Sequence, residues 1–198
     1  LSDSYTSDGT GTGSFTTSLS GLTPYTTYYV KAYVTNSSGT AYGRLVSFTT
    51  DAVPPTIESV SLASDNSTID VTWSEAVYAT DGGTGALAAD DFKLNLTGGA
   101  ASLASLTPSS ISQDGNTYTL GISLTGVANG NELLKVQPQG SSAIYNTAGL
   151  AATFEQSNNT ANLNAAPTIT SVSLAADNST IDVTWSEAVY STDNGTGD

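Results

Sequence analysis

The sequence contains no cysteine and no histidine. The first absence excludes disulfides, a thiol nucleophile and thiolate metal sites. The second removes Ser-His-Asp chemistry and imidazole metal ligands. Positive charge is scarce as well: Lys31, Arg44, Lys93 and Lys135 stand against 18 acidic residues, giving a formal net charge of −14. Nucleic acid is therefore not an expected partner, because nothing would neutralise its phosphates. An anionic membrane surface is disfavoured for the same reason. Cations are the natural counter-charge; alternatively the acidity simply keeps an exported protein in solution. No apolar run approaches the roughly 18 to 20 residues that span a bilayer, so no membrane insertion is expected. With only 11% charged and 38% hydrophobic residues, Thr, Ser, Gly, Asn and Ala fill much of the chain. That mixture suits many short strands joined by polar turns better than it suits helices.

What the chain does contain is a repeat. Residues 55–85, PTIESVSLASDNSTIDVTWSEAVYATDGGTG, return as residues 167–197, PTITSVSLAADNSTIDVTWSEAVYSTDNGTG, at a constant offset of 112 residues. Between 54–86 and 166–198, only six of 33 positions differ. Near-identical copies at a fixed period are the signature of a tandem array, and this period is already the size of a domain. The chain thus reads as a window on a longer array, with domains at 1–52, 53–165 and 166–198. Asp51-Ala52-Val53-Pro54-Pro55 and Asn164-Ala165-Ala166-Pro167 are short, stiff linkers that favour an extended arrangement.

In the first 52 residues, 14–22 alternates loosely and 28–35 alternates cleanly. One face carries Tyr28, Val30, Ala32 and Val34; the other carries Tyr29, Lys31, Tyr33 and Thr35. Asn36-Ser37-Ser38-Gly39 is a turn, and 42–50 is a further strand. Leu22-x-Pro24-x-x-x-Tyr28, followed by Val30, Ala32 and Asn36-x-x-Gly39, resembles the E–F corner, strand F and F–G turn of a fibronectin type III domain. The resemblance makes Tyr28 the corner tyrosine, whose hydroxyl bonds back to upstream backbone. It covers only the second half of such a domain. Half a sandwich leaves a face and strand edges open, so a preceding segment or a strand from another copy is expected to complete it.

The 53–165 region predicts strands at 56–62, 68–75, 91–96, 101–106, 110–112, 118–124 and 132–136, with 151–163 completing the sheet. Ile69, Val71 and Trp73 share one face; so do Leu120, Ile122 and Leu124. Seven to nine short strands in one period point to a β-sandwich. Val71-Thr72-Trp73-Ser74-Glu75-Ala76-Val77, Asp90-Asp91-Phe92 and Ile144-Tyr145-Asn146-Thr147-Ala148-Gly149 resemble bacterial Ig-like repeats of surface-layer and adhesin proteins. Those repeats pair an F-S-E-x-V strand with a D-x-A-G-N turn. Trp73, Asn146 and Leu150 depart from that pattern, which weakens any ligand role for the late turn. The fold class expected is all-β, with tandem Ig-like and fibronectin type III-like sandwiches.

Candidate metal ligands are Glu75, Asp81, Asp90 and Asp91 around one loop, with Glu132 and Asn131 approaching from another. Ca2+ takes six to eight oxygens from carboxylates and carbonyls, and Gly-rich loops present them. No D-x-D-x-D-G loop is present, and the same residues equally suit Asx turns and a solvated surface. Paired carboxylates run glycoside hydrolysis, but Glu75 recurs as Glu187, and a residue copied along an array is more naturally structural; no enzyme is expected. Tyr29, Tyr33 and Tyr42 form a row that either stacks on sugar rings or packs within its own sheet. Asn36, Asn66, Asn95, Asn158, Asn178 and Asn194 lie in N-x-S/T sequons, which arise readily in so polar a chain.

The resemblance implies a large exported adhesin of the Bacteroidetes cell surface, of the gliding-motility kind. Its repeats would act as a stalk that projects a distal binding region. Neighbouring repeats of the same chain would be its immediate partners. The alternatives are a glycan- or receptor-binding module and an accessory region of a polysaccharide-degrading enzyme.

Overall fold

The computed structural model describes residues 4–186, 188 and 189. It is nearly all-β, built from antiparallel strands, with no α-helix among the described residues. The chain divides into two compact units, Leu1–Val53 and Pro54–Asp198.

The first unit is one long hairpin with an irregular approach. Strands β1 (Thr27–Asn36) and β2 (Gly39–Thr49) pair from Thr27↔Thr49 to Asn36↔Gly39. Asn36 Oδ1 accepts the Ser38 N–H at 2.8 Å and closes the turn. The register slips between Lys31 and Tyr33, where β2 bulges at Gly43-Arg44. The Tyr28 hydroxyl accepts the Thr23 N–H at 2.9 Å, the upstream bond expected of it. The loose alternation of 14–22 forms no strand. Its Phe15 and Leu19 side chains stay about half exposed, so no packing holds the segment against a sheet.

The second unit contains the core. Strands β3 (Ile57–Leu62), β4 (Thr68–Trp73), β9 (Thr117–Gly121) and β8 (Ile111–Asp114) form one sheet in the order β3-β4-β9-β8. A second sheet has the order β13-β11-β6, from β13 (Thr160–Asn162), β11 (Leu133–Pro138) and β6 (Phe92–Thr97). Two short pairs complete it: β5 (Val77–Tyr78) with β12 (Tyr145–Asn146), and β7 (Ser102–Leu103) with β10 (Leu124–Thr125). Ile57, Ile69, Val71, Trp73, Tyr118 and Leu120 of the first sheet share one buried cluster with Phe92, Leu94, Leu134 and Val136 of the second. The Phe92 and Tyr118 rings meet across it at 5.9 Å. This arrangement is consistent with a β-sandwich.

Several boundaries differ from expectation. The strand expected over 118–124 breaks after Gly121, whose backbone lies too close to Ser109 and Ser110 for any side chain. Of 151–163, only Thr160–Asn162 is a strand. Upstream, the side chain of Gln156 replaces a ladder: its Oε1 accepts the Ile57 N–H at 2.9 Å. Asp91 ends a single 3-10 turn, Ala89–Asp91, rather than opening β6.

Beyond this core, β14 (Ile169–Leu174) and β15 (Ile181–Trp185) repeat β3 and β4. The register is the same, Ile169↔Trp185 answering Ile57↔Trp73, with the irregularity at the equivalent place. The turns match too. Asn66 and Asn178 have φ of 61° and 58°, and Asp65 and Asp177 each accept both the N–H and the hydroxyl of the serine two residues on.

Candidate functional site

Glu132 is the one buried carboxylate among the described residues. It sits just before β11, in the loop that follows Asn129-Gly130-Asn131. Its Oε1 accepts the N–H groups of Ala100 and Ala101 at 2.7 and 2.9 Å. Its Oε2 accepts those of Asn129 and Gly130 at 3.1 and 3.0 Å. The Ala101 N–H first, with those of Ala100 and Asn129, holds the carboxyl down to about 2 against the opposing effect of burial. Gly99, at φ 63°, lies under this carboxylate, where a Cβ would overlap it; a Cβ on Gly98 would strike the Asn131 carbonyl oxygen. Two loops thus form an anion-holding nest, and the chain fills it with its own carboxylate. A carboxylate offers about four acceptor directions, so ligating a cation through Glu132 would break these bonds.

The other expected ligands lie in separate surroundings. Glu75 Oε1 accepts the side-chain amide of buried Asn146 at 3.1 Å. Asn146 Oδ1 in turn accepts the N–H groups of Ala148 and Leu150 at 3.1 and 2.9 Å, which shapes the turn after β12. Asp91 Oδ2 accepts the Ala88 N–H at 2.8 Å. Asp81 and Asp90 are exposed. Gly149 packs so closely on the Asp81 carbonyl oxygen that it admits no side chain. Among the described residues, no three acidic side chains come together as a metal site requires.

A fourth arrangement was not foreseen from the sequence. Asn66 and Asn164 clasp each other: Asn66 Nδ2 donates to the Asn164 carbonyl at 3.0 Å, and the Asn164 N–H donates back to Asn66 Oδ1 at 2.8 Å. Asn164 Nδ2 also reaches the Ala63 carbonyl at 3.0 Å. The linker after β13 is thereby tied to the β3–β4 turn. The sequence signal is an Asn in a linker paired with an Asn at a left-handed turn position, and a separation of 98 residues hides it.

In the first unit Tyr29, Tyr33 and Tyr42 are 69%, 46% and 65% exposed, and the other face of the hairpin is exposed as well, Val34 at 66%. Tyr33 and Tyr42 lie 6.2 Å apart across the strands, and the Lys31 ammonium stands 5.0 Å over the Tyr42 ring. Trp73, by contrast, is a core residue with 1% exposure. Its indole N–H has no partner among the described residues. Glu187 and Asn194 lie outside the described residues. No protein-family model, curated protein or solved structure matches the chain.

Proposed function

We propose that this chain is a spacer segment from an array of Ig-like and fibronectin type III-like β-sandwiches in a large exported bacterial surface protein. The spacer projects a distal binding region from the cell. The observation that carries this reading is the repeat: the 57–73 hairpin and the 169–185 hairpin share their apolar pattern, their turn and their register. The residues that differ at 58 and 64 are exposed in the first copy, so its core pattern is unchanged in the second. The Asn66–Asn164 clasp supports the same reading, because it fixes the departing linker to the body it leaves. The test is the mass of the native polypeptide that carries this sequence, by denaturing gel and mass spectrometry. A species many times 20.1 kDa is expected, and a native species near 20.1 kDa would sink the proposal.

The exposed tyrosine row favours a second reading, a glycan-binding face on the first unit. Aromatic rings presented side by side on a sheet can stack on sugars. A soluble-glycan screen on wild type and a Tyr29→Ala/Tyr42→Ala variant separates the two: binding lost in the variant supports this reading, and no binding by wild type removes it.

A further inference from the structure

The chain enters and leaves the core body at opposite ends of one strand. At the entry, the Thr56 N–H donates to Ser74 Oγ at 3.1 Å, and the Ser74 N–H donates back to the Thr56 carbonyl at 2.9 Å. The Ile57 N–H is held by Gln156 Oε1. From there β3 runs to Leu62. At its far end the Ala63 carbonyl and the Asn66 side chain hold Asn164, where the departing linker begins. The exit is fastened on another side too. The Leu163 N–H donates to the Glu132 carbonyl at 3.0 Å, and the Ala166 N–H donates to the Ala128 carbonyl at 3.2 Å. Residues 156–164 therefore run beside β3 in the same direction, with β13 next to it. From Ile57 to Ala63 the two fastenings are about 20 Å apart, at ~3.3 Å per residue.

We infer that this body carries tension along the chain, with β3 as the strap and the Asn66–Asn164 clasp as the coupling that passes the load out. A pull on the chain before Thr56 and after Ala166 reaches β3 at one end and leaves through Asn164 at the other. The direct route between them is β3, the turn from Ala63 to Asn66, and the clasp. Residues 67–163 lie outside that route for as long as the clasp holds. When it yields, the load passes to the β3–β4 and β11–β13 ladders. β3 and β13 are both edge strands of their sheets. The bonds of an antiparallel ladder stand perpendicular to its strands. A load directed along β3 therefore strains them together, not one after another.

Forced unfolding follows the unfolding rate. Bonds intact in the folded chain and broken at the barrier count in full toward that rate. A clasp that only stabilises the fold would slow rupture whatever the direction of pull. A clasp in the path of the load slows it when tension runs from Thr56 to Asn164. The inference deepens the spacer reading and rests on it only for the source of the tension. Rupture of single chains measures the property whatever the mass of the native polypeptide, so the two can fail separately.

The experiment is single-molecule force spectroscopy on the full 198-residue chain, which has no cysteine, so a pair of introduced thiols defines the points of attachment. Pro54→Cys with Pro167→Cys places the handles at opposite ends of β3. Pro54→Cys with Asn116→Cys places both at the entry end, because the Asn116 carbonyl accepts the N–H of Trp73, which stands opposite Ile57. That second pull peels β3 from β4 bond by bond, starting at the end away from the clasp. The first pair is expected to rupture at the higher force. Asn66→Gly is expected to speed rupture through the first pair on the order of tenfold at fixed force, and to leave the second pair unchanged. Equal rupture forces for the two pairs would overturn the inference. So would an Asn66→Gly chain weakened as much or more through the second pair, since the clasp would then act through stability alone, or one weakened through neither.

Discussion

At the residue scale, Glu132 decides how the loops around β11 are held. Four backbone N–H groups converge on its carboxylate. Glu132→Gln presents an NH2 where two of those donors point, so it leaves buried donors facing a donor. The melting temperature of the second unit is expected to fall by on the order of 10 °C, read by calorimetry. The acid limb of stability follows from the same bonds. The carboxyl titrates at about 2 in the folded chain against an ordinary value of 4.5. The unfolded chain thus binds the extra proton first as pH falls. Stability from this group is full above about 4.5 and is lost between there and about 2. A melting temperature followed from pH 6 to pH 2 should decline through that window in wild type, and less steeply in the Gln variant. Nothing in the sequence marks Glu132 for this role. A lone acid in a polar, Gly-rich loop reads equally as a cation ligand or a solvated side chain. Its partners at Ala100 and Ala101 lie about thirty residues away in sequence. Trp73 was legible for the opposite reason: Ile69, Val71 and Trp73 alternate with polar residues inside a single strand.

At the scale of elements, the duplicated hairpin supplies its own control. Asn66 and Asn178 occupy the same left-handed turn position, with φ of 61° and 58°. Only Asn66 also bonds Asn164. Asn66→Gly keeps the turn geometry accessible and removes the clasp. It should lower the melting temperature of the core by a few degrees and speed amide exchange at Asn164, whose N–H loses its acceptor. Asn178→Gly should leave both unchanged, because its hairpin is outside the buried cluster. Equal effects of the two substitutions would show that the turn, and not the clasp, carries the energy. The strands themselves were readable wherever alternation was strong, as at 57–62, 68–73 and 133–138. The stretch 151–163 was misjudged: only Thr160–Asn162 is a strand, and upstream of it the Gln156 side chain accepts the Ile57 N–H in place of a backbone carbonyl. The late turn at 146–150 was legible as a turn. Its organisation by a buried asparagine bonded to Glu75 was not, since 71 residues separate the pair.

For the whole molecule, cooperativity should follow burial rather than chain length. Every buried hydrophobic side chain among the described residues lies between Ile57 and Leu163. The first unit contributes ring contacts such as Tyr28 on Phe48, at 6.0 Å, but none of its side chains is fully withdrawn from water. The 169–185 hairpin exposes the face that its twin buries. Burial of apolar surface is what makes unfolding all-or-none, so only the 54–165 body has the means to melt as a unit. Unfolding enthalpy near 60 °C scales at about 0.7 kcal/mol per residue, which gives roughly 80 kcal/mol for that body and roughly 140 kcal/mol for the whole chain. Scanning calorimetry of the chain is expected to show one transition near the smaller figure. Val183→Asp should leave that transition in place, because the hairpin it alters contributes nothing to it. An enthalpy near the larger figure would mean that the first unit and the second hairpin melt with the core.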